Sequence, residues 1–149
     1  MASSTTAKNI IKGNKFIGGS LRLDGLGNST SDDNQVISNT IISSSPDGIL
    51  IVGKQNVIRG NTINQSEENG IVVDSFKVNF GSAISEGNII KDNSITNSGE
   101  SGIKIESERS DGAVTLNTVI IDNTLAGNTN SPIDDDGDGT TQAGNIFGN

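Results

Sequence analysis

Aliphatic residues recur along the chain at fixed distances from asparagine. With Asn61 as origin, Ile58 lies three residues before it, Thr62 one after, Ile63 two after and Gly70 nine after. An alternating run follows, with Ile71 at plus ten, Val73 at plus twelve and Asp74 at plus thirteen. Counting from Asn93 gives Ile90, Ser94, Ile95, Gly102, Ile103, Ile105 and Glu106 at the same offsets without a gap. Asn39 gives Val36, Thr40, Ile41, Gly48, Ile49 and Ile51, and Asn123 gives Ile120, Thr124, Leu125 and Ile133. Asn14 gives Ile11 and Phe16, after which a three-residue deletion brings Leu21, Leu23 and Asp24 onto the pattern. At the end of the chain, Ile146 followed by Asn149 reads as a sixth instance.

The reference asparagines stand 25, 22, 32, 30 and 26 residues apart, so the period is loose while the pattern inside it is tight. Insertions fall between plus thirteen and the next aliphatic, as in Phe76 to Gly87 and Glu108 to Asn117. A solenoid behaves this way, because its core-lining segments must match their neighbours while loops at one corner are free to vary. Apolar spacing of two residues is a strand period, and helical runs are absent. The richness in Ile, Val and Thr agrees. Each unit of about 22 residues then supplies two or three short strands, stacked in parallel at about 4.8 Å per coil. One asparagine per coil predicts a stacked column, Asn14, Asn39, Asn61, Asn93, Asn123 and Asn149, in which each carboxamide donates to one neighbour and accepts from the other. Four apolar residues in Ser75 to Gly87, namely Phe76, Val78, Phe80 and Ile84, predict that this loop folds back onto a flank.

The pattern N-x-[IV]-x-x-N-x-I followed by G-I-x-[IV] resembles the right-handed parallel β-helix repeat of pectate-lyase-like proteins, which include NosD-like proteins, mannuronan epimerases, alginate lyases and phage tailspikes. The resemblance runs from about Asn9 to Asn149. It implies an all-β fold: a right-handed parallel β-helix of five to six coils without obvious end caps, forming one domain over residues 1–149. Met1 to Ala7 is small and polar, unlike the apolar core of a signal peptide. The expectation is therefore a piece of a longer solenoid, whose parent protein is extracellular, periplasmic or on a virion surface. The repeat specifies the scaffold and leaves the chemistry open.

Composition narrows the chemistry further. The chain has no His, Cys or Tyr, which removes the commonest general base, thiol chemistry and disulfides. Eighteen acidic against ten basic residues give a formal charge of −8, so a nucleic-acid backbone or an anionic membrane is a poor partner. An anionic polysaccharide is repelled too, unless divalent cations bridge it.

Candidate chemistry gathers on an acidic column, Asp24, Asp74, Glu106 and Asp136, each directly after the alternating strand. Arg22 and Lys104 share that strand, so Arg22, Asp24, Asp74, Lys104 and Glu106 form the candidate carbohydrate-binding face. Lys12, Arg59 and Lys91 recur on a different strand. The run DDDGDG has the oxygen density that Ca²⁺ prefers, which makes Asp134, Asp136 and Asp138 candidate metal ligands and Ca²⁺ the one candidate cofactor. Asp135 falls at an inward position, where the strand is expected to end or divert. The resemblance implies a Lys or Arg base beside Ca²⁺-neutralised carboxylate in the lyases. The Asp-Pro-His-Glu motif of the epimerases has no counterpart here. A hydroxyl column, Thr40, Thr62, Ser94 and Thr124, reads as an outward ladder. The expected function is a non-catalytic structural module that binds polysaccharide along one face. The alternatives are a fragment of a Ca²⁺-dependent polysaccharide lyase and a subunit that self-associates head to tail through open solenoid ends.

Overall fold

The structure, a computed structural model, describes residues 6–24, 30–78, 81–107 and 112–148. The described chain winds into three parallel sheets built from three-residue strands. The first sheet stacks Ile10–Lys12, Gln35–Ile37, Val57–Arg59, Ile89–Lys91, Val119–Ile121 and Thr141–Ala143. The second stacks Lys15–Ile17, Thr40–Ile42, Thr62–Asn64, Ser94–Thr96, Thr124–Ala126 and Ile146–Gly148. The third stacks Leu21–Leu23, Ile49–Ile51, Ile71–Val73, Ile103–Ile105 and Ile133–Asp135. The pairing of Leu21 with Ile49 and of Leu23 with Ile51 places the three-residue deletion of the first coil before the third sheet.

Side chains alternate in direction along a strand, so a three-residue strand can turn either one or two of them inward. The first two sheets turn one inward and the third turns two. Ile58, Ile63, Ile71 and Val73 are thus the interior of one coil, and Ile90, Ile95, Ile103 and Ile105 that of the next. These are the aliphatic offsets of the repeat, now seen as a continuous buried column.

The corners explain the remaining polar positions. The residues before Asn14, Asn39, Asn61, Asn93 and Asn123, and Gly144 before Asn145, are left-handed: Gly13, Ser38, Gly60, Asp92, Asp122 and Gly144 have φ between 53° and 69°. A second such file, Lys8, Asp33, Gln55, Gly87, Asn117 and Gly139, precedes the first sheet, and a third, Gly18, Ser43, Gln65, Asn97 and Gly127, follows the second. At the first two corners a polar side chain then points into the interior, where it must be hydrogen-bonded or cost about 1–3 kcal/mol.

Asparagine meets that demand twice in each of the first four coils. In the first column the backbone N–H and Nδ2 of Asn39 both donate to Asn61 Oδ1, at 2.9 and 3.1 Å. Asn61 donates in the same way to Asn93, Asn93 to Asn123, and Asn14 to Asn39. A further Nδ2 contact runs back to a carbonyl of the preceding coil, from Asn61 to Val36 O and from Asn93 to Ile58 O. The sixth member of this column is Asn145, which receives both bonds from Asn123 at 3.0 Å. Asn149, the residue expected there, lies outside the described residues. The misplacement has a physical cause: Gln142 replaces the aliphatic three residues before Asn145, whereas Ile146 imitates that aliphatic relative to Asn149.

A second column, five residues before the first, joins Asn9, Asn34, Asn56 and Asn88 by the same pair of bonds. It stops at Thr118, whose buried Oγ1 has no hydrogen-bond partner. Thr118→Asn supplies the missing acceptor for Asn88, and we expect it to stabilise the fold by about 1 kcal/mol in urea denaturation, the net worth of one or two amide hydrogen bonds.

Two sequence expectations meet the structure at the loops. The strand does not end or divert at Asp135: Ile133–Asp135 continues the third sheet in register, with Asp135 beside Ile105. Asp135 is exposed at this last rung, and its carboxylate accepts from Gly137 N–H, Thr140 Oγ1 and Gln142 Nε2 at 3.0, 3.0 and 3.1 Å. The charge therefore stays solvated and hydrogen-bonded where an apolar side chain stands in earlier coils. In the longest insertion, Phe76–Val78 pairs antiparallel with Gly81–Ala83, while Phe80 lies outside the described residues. The neck of that insertion is pinned by buried hydroxyls, with Ser85 N–H and Thr115 Oγ1 both donating to Ser75 Oγ at 2.7 and 2.9 Å.

Candidate functional site

The outer edge of the third sheet carries the acidic column. Strand register places Arg22, Leu50, Val72, Lys104 and Asp134 in one outward file, and the acids follow at its end. Arg22 pairs with Asp24 at 2.8 Å in the first coil. Val52, 1% exposed, then interrupts the acids, so Asp24 is separated from the rest. Asp74, Glu106 and Asp136 stand on three successive coils and, with Ser107, line an open cleft of about 150 Å³. The five residues expected on a carbohydrate face thus divide into two groups, Arg22 with Asp24 and Asp74 with Lys104 and Glu106.

Lys104 sits in the file beside this cleft and bonds Glu106 at 2.7 Å. The hydrogen bond to Glu106 is the main reason its pKa lies above the ordinary lysine value; partial burial works against the shift, and the charges of Glu106, Glu100 and Asp134 add to it. A lysine that abstracts protons near neutral pH needs the opposite shift. Lys104 is therefore built as a cation that holds or neutralises carboxylate. The stability linkage follows in sign: a raised folded-state pKa gives a contribution complete below the unfolded value of about 10.4 and lost as pH rises through the folded value. Lys104→Met should lower the urea midpoint equally at about pH 7 and pH 9, and the gap to wild type should close above about pH 10.5.

The three candidate metal-ligand aspartates do not converge. Asp134 faces outward beside Lys104, Asp136 lines the acidic cleft, and Asp138 bridges Leu116 in the file of Lys54 and Glu86. Among the described residues no three His, Cys, Asp or Glu side chains form a group that could hold a metal ion. Ca²⁺ thus finds no ligand set among the described residues. Lys12, Arg59 and Lys91 lie on the outer face of the first sheet, away from the acidic edge. The hydroxyls Thr40, Thr62, Ser94 and Thr124 do fall in file on the second sheet, next to the chemically mixed Ile42, Asn64, Thr96 and Ala126.

A larger cleft of about 320 Å³ was not foreseen. It lies along the corner before the first sheet, where Lys54 pairs with Glu86 at 3.0 Å and Asp32, Gln55 and Asn117 line the walls. Its signal in the sequence is weak, because the file seven residues before the asparagines mixes Asp32, Lys54, Glu86, Leu116 and Asp138. No single residue type marks it.

The winding, the parallel register and the paired amide columns define a class. The chain belongs to the right-handed beta helix region family, whose model matches residues 1–147. Among solved structures it is similar to a point mutant of the periplasmic alginate epimerase AlgG, with 18% identity and a TM-score of 0.72 over 97% of this chain and 36% of that one. A structure of AlgG itself matches with 14% identity and a TM-score of 0.52 over 96% of this chain and 39% of that one. Identity at this level establishes the fold alone. The chain spans little more than a third of either match. No curated protein matches it in sequence.

Proposed function

We propose that this chain is a non-catalytic β-helical module of a larger secreted, surface or virion protein, and that it binds polysaccharide along the outer edge of the third sheet. The observation that carries this reading is the cleft of Asp74, Glu106, Ser107 and Asp136 on successive coils, flanked by Lys104. Carboxylate and hydroxyl oxygens repeated at about 4.8 Å accept hydrogen bonds from the hydroxyls of an extended sugar chain. The formal charge of −8 favours a neutral glycan over a uronate polymer. A polysaccharide-modifying enzyme with the same winding is in keeping with a sugar ligand. Lys104, held as a cation, gives no proton-abstracting base for a lyase.

Calorimetric titration tests the reading, with neutral glucans and mannans set against alginate and pectate, each with and without Ca²⁺. Binding of a neutral polymer that is lost in Asp74→Asn with Glu106→Gln, at unchanged melting temperature, is the expected result. Accumulation of unsaturated uronate product, followed by its ultraviolet absorbance, would instead identify a lyase.

A further inference from the structure

The outer face of the first sheet is aliphatic and basic, in a protein of formal charge −8. One outward file runs Ile10, Gln35, Val57, Ile89, Val119 and Thr141; the other runs Lys12, Ile37, Arg59, Lys91, Ile121 and Ala143. Six of these side chains are Ile or Val, three are Lys or Arg, and none is acidic. Solvent still reaches Val57, Ile89 and Val119, which are only partly buried, and Arg59 is exposed. Arg59 and Lys91 occupy neighbouring strands directly opposite one another, where like charges repel. Among the described residues, the ion pair of this basic file is Lys91 with Asp92, at 3.4 Å.

The opposite charge stands elsewhere on the same coils. The loop after the second sheet carries Glu67 and Glu68 in the coil of Arg59, and Glu100 in the coil of Lys91. The N–H of Glu100 donates to Glu68 O at 2.9 Å, so these two acids lie one directly over the other. Cations and acids therefore share both level and spacing, on two separate faces of the molecule.

The geometry points to side-by-side association with a second copy of this chain, the aliphatic and basic face of one copy lying against the acidic corner of the next. With solenoid axes parallel and no axial offset, Arg59 meets Glu68 and Lys91 meets Glu100. The Ile and Val file supplies the dry centre and the charge pairs set the level. Because the two surfaces differ, the contact is heterologous, so it closes into a ring or extends as a row.

Light scattering coupled to size exclusion, run at low salt and again at about 1 M, where the Debye length falls to about 3 Å, tests this. Wild type should elute at twice the 15.4 kDa monomer mass or more at low salt and shift towards monomer at high salt. Arg59→Glu with Lys91→Glu should be monomeric, as should Glu68→Lys with Glu100→Lys, each with a wild-type circular dichroism spectrum. Mixing the two double variants should restore the assembly. A wild type that stays monomeric at its highest soluble concentration overturns the inference, as does an assembly that both variants leave intact. A monomer retained by an anionic polysaccharide matrix through Arg59 and Lys91 overturns it as well, by assigning the face to a different partner.

Discussion

Asn61→Ala should cost about 3–5 kcal/mol of folding stability, read as a fall in the urea midpoint at unchanged slope. The side chain removed is 1% exposed and serves three neighbours. Its Oδ1 accepts from both the N–H and the Nδ2 of Asn39; its Nδ2 reaches Asn93 Oδ1 at 3.0 Å and Val36 O at 2.9 Å. Alanine leaves the buried N–H of Asn39 without an acceptor and its Nδ2 with Ile11 O alone, at 2.9 Å, and water cannot follow them into a column of isoleucine. Each such group costs about 1–3 kcal/mol, which outweighs the helpful apolar character of the methyl group. Asn14→Ala is the control: its side chain is exposed at the first rung, and the loss there should stay below about 1 kcal/mol. Equal losses at the two positions would show that asparagine serves only as a turn residue.

Gly70→Ala should be at least as damaging, at about 3 kcal/mol or more, with a sharp drop in melting temperature. A Cβ built on Gly70 comes 2.3 Å from Ile95 Cγ2 and 2.5 Å from Gly102 O. The carbonyl cannot retreat, because it accepts the N–H of Ile71 at 3.0 Å and so holds one coil to the next. Gly48 repeats the arrangement one coil earlier, 2.4 Å from Gly70 O. The demand here is for space. Gly13 makes the contrasting case: a Cβ there meets nothing within 4 Å, and its φ of 69° is the sole objection to a side chain. Gly13→Ala should cost about 1–2 kcal/mol, the left-handed penalty for one residue.

Much of this architecture is legible in the sequence because the interior admits few residue types. Aliphatic offsets from asparagine survive intact in the coils of Asn39, Asn61 and Asn93, since each marks a side chain that has nowhere else to point. The second amide column was equally present in the motif, as the first Asn of N-x-[IV]-x-x-N. A count anchored on one asparagine per coil passed over Asn9, Asn34, Asn56 and Asn88. Asn145 escaped for a different reason: Gln142 stands where the pattern wants an aliphatic, next to the last rung where Asp135 keeps the end of the core polar. The left-handed corners are illegible in principle. Their occupants include Lys8, Gln55, Asp92 and Asn117 as well as glycine, so only their backbone angles unite them.

The candidate site was legible in outline alone. Offsets located the acids, but which of them meet depends on interruptions such as Val52 and on rotamers that bring Lys104 to Glu106 and Arg22 to Asp24. The aspartate-rich run taught the opposite lesson. Asp134, Asp136 and Asp138 are close in sequence, yet a chain that leaves the third sheet and crosses a corner carries Asp138 to Leu116, away from Asp134 in the Lys104 file and Asp136 in the cleft.

The amide columns also have a sense of direction. Beyond the first members, Asn9 and Asn14, every carboxamide oxygen in them is met from the coil before, and every Nδ2 that joins two asparagines reaches for the coil after. A coil inserted upside down would set donor against donor on one side and lone pair against lone pair on the other. Coils can therefore be added, duplicated or exchanged in one orientation only, and the vector of growth is inscribed in the side chains of this protein as well as in its backbone.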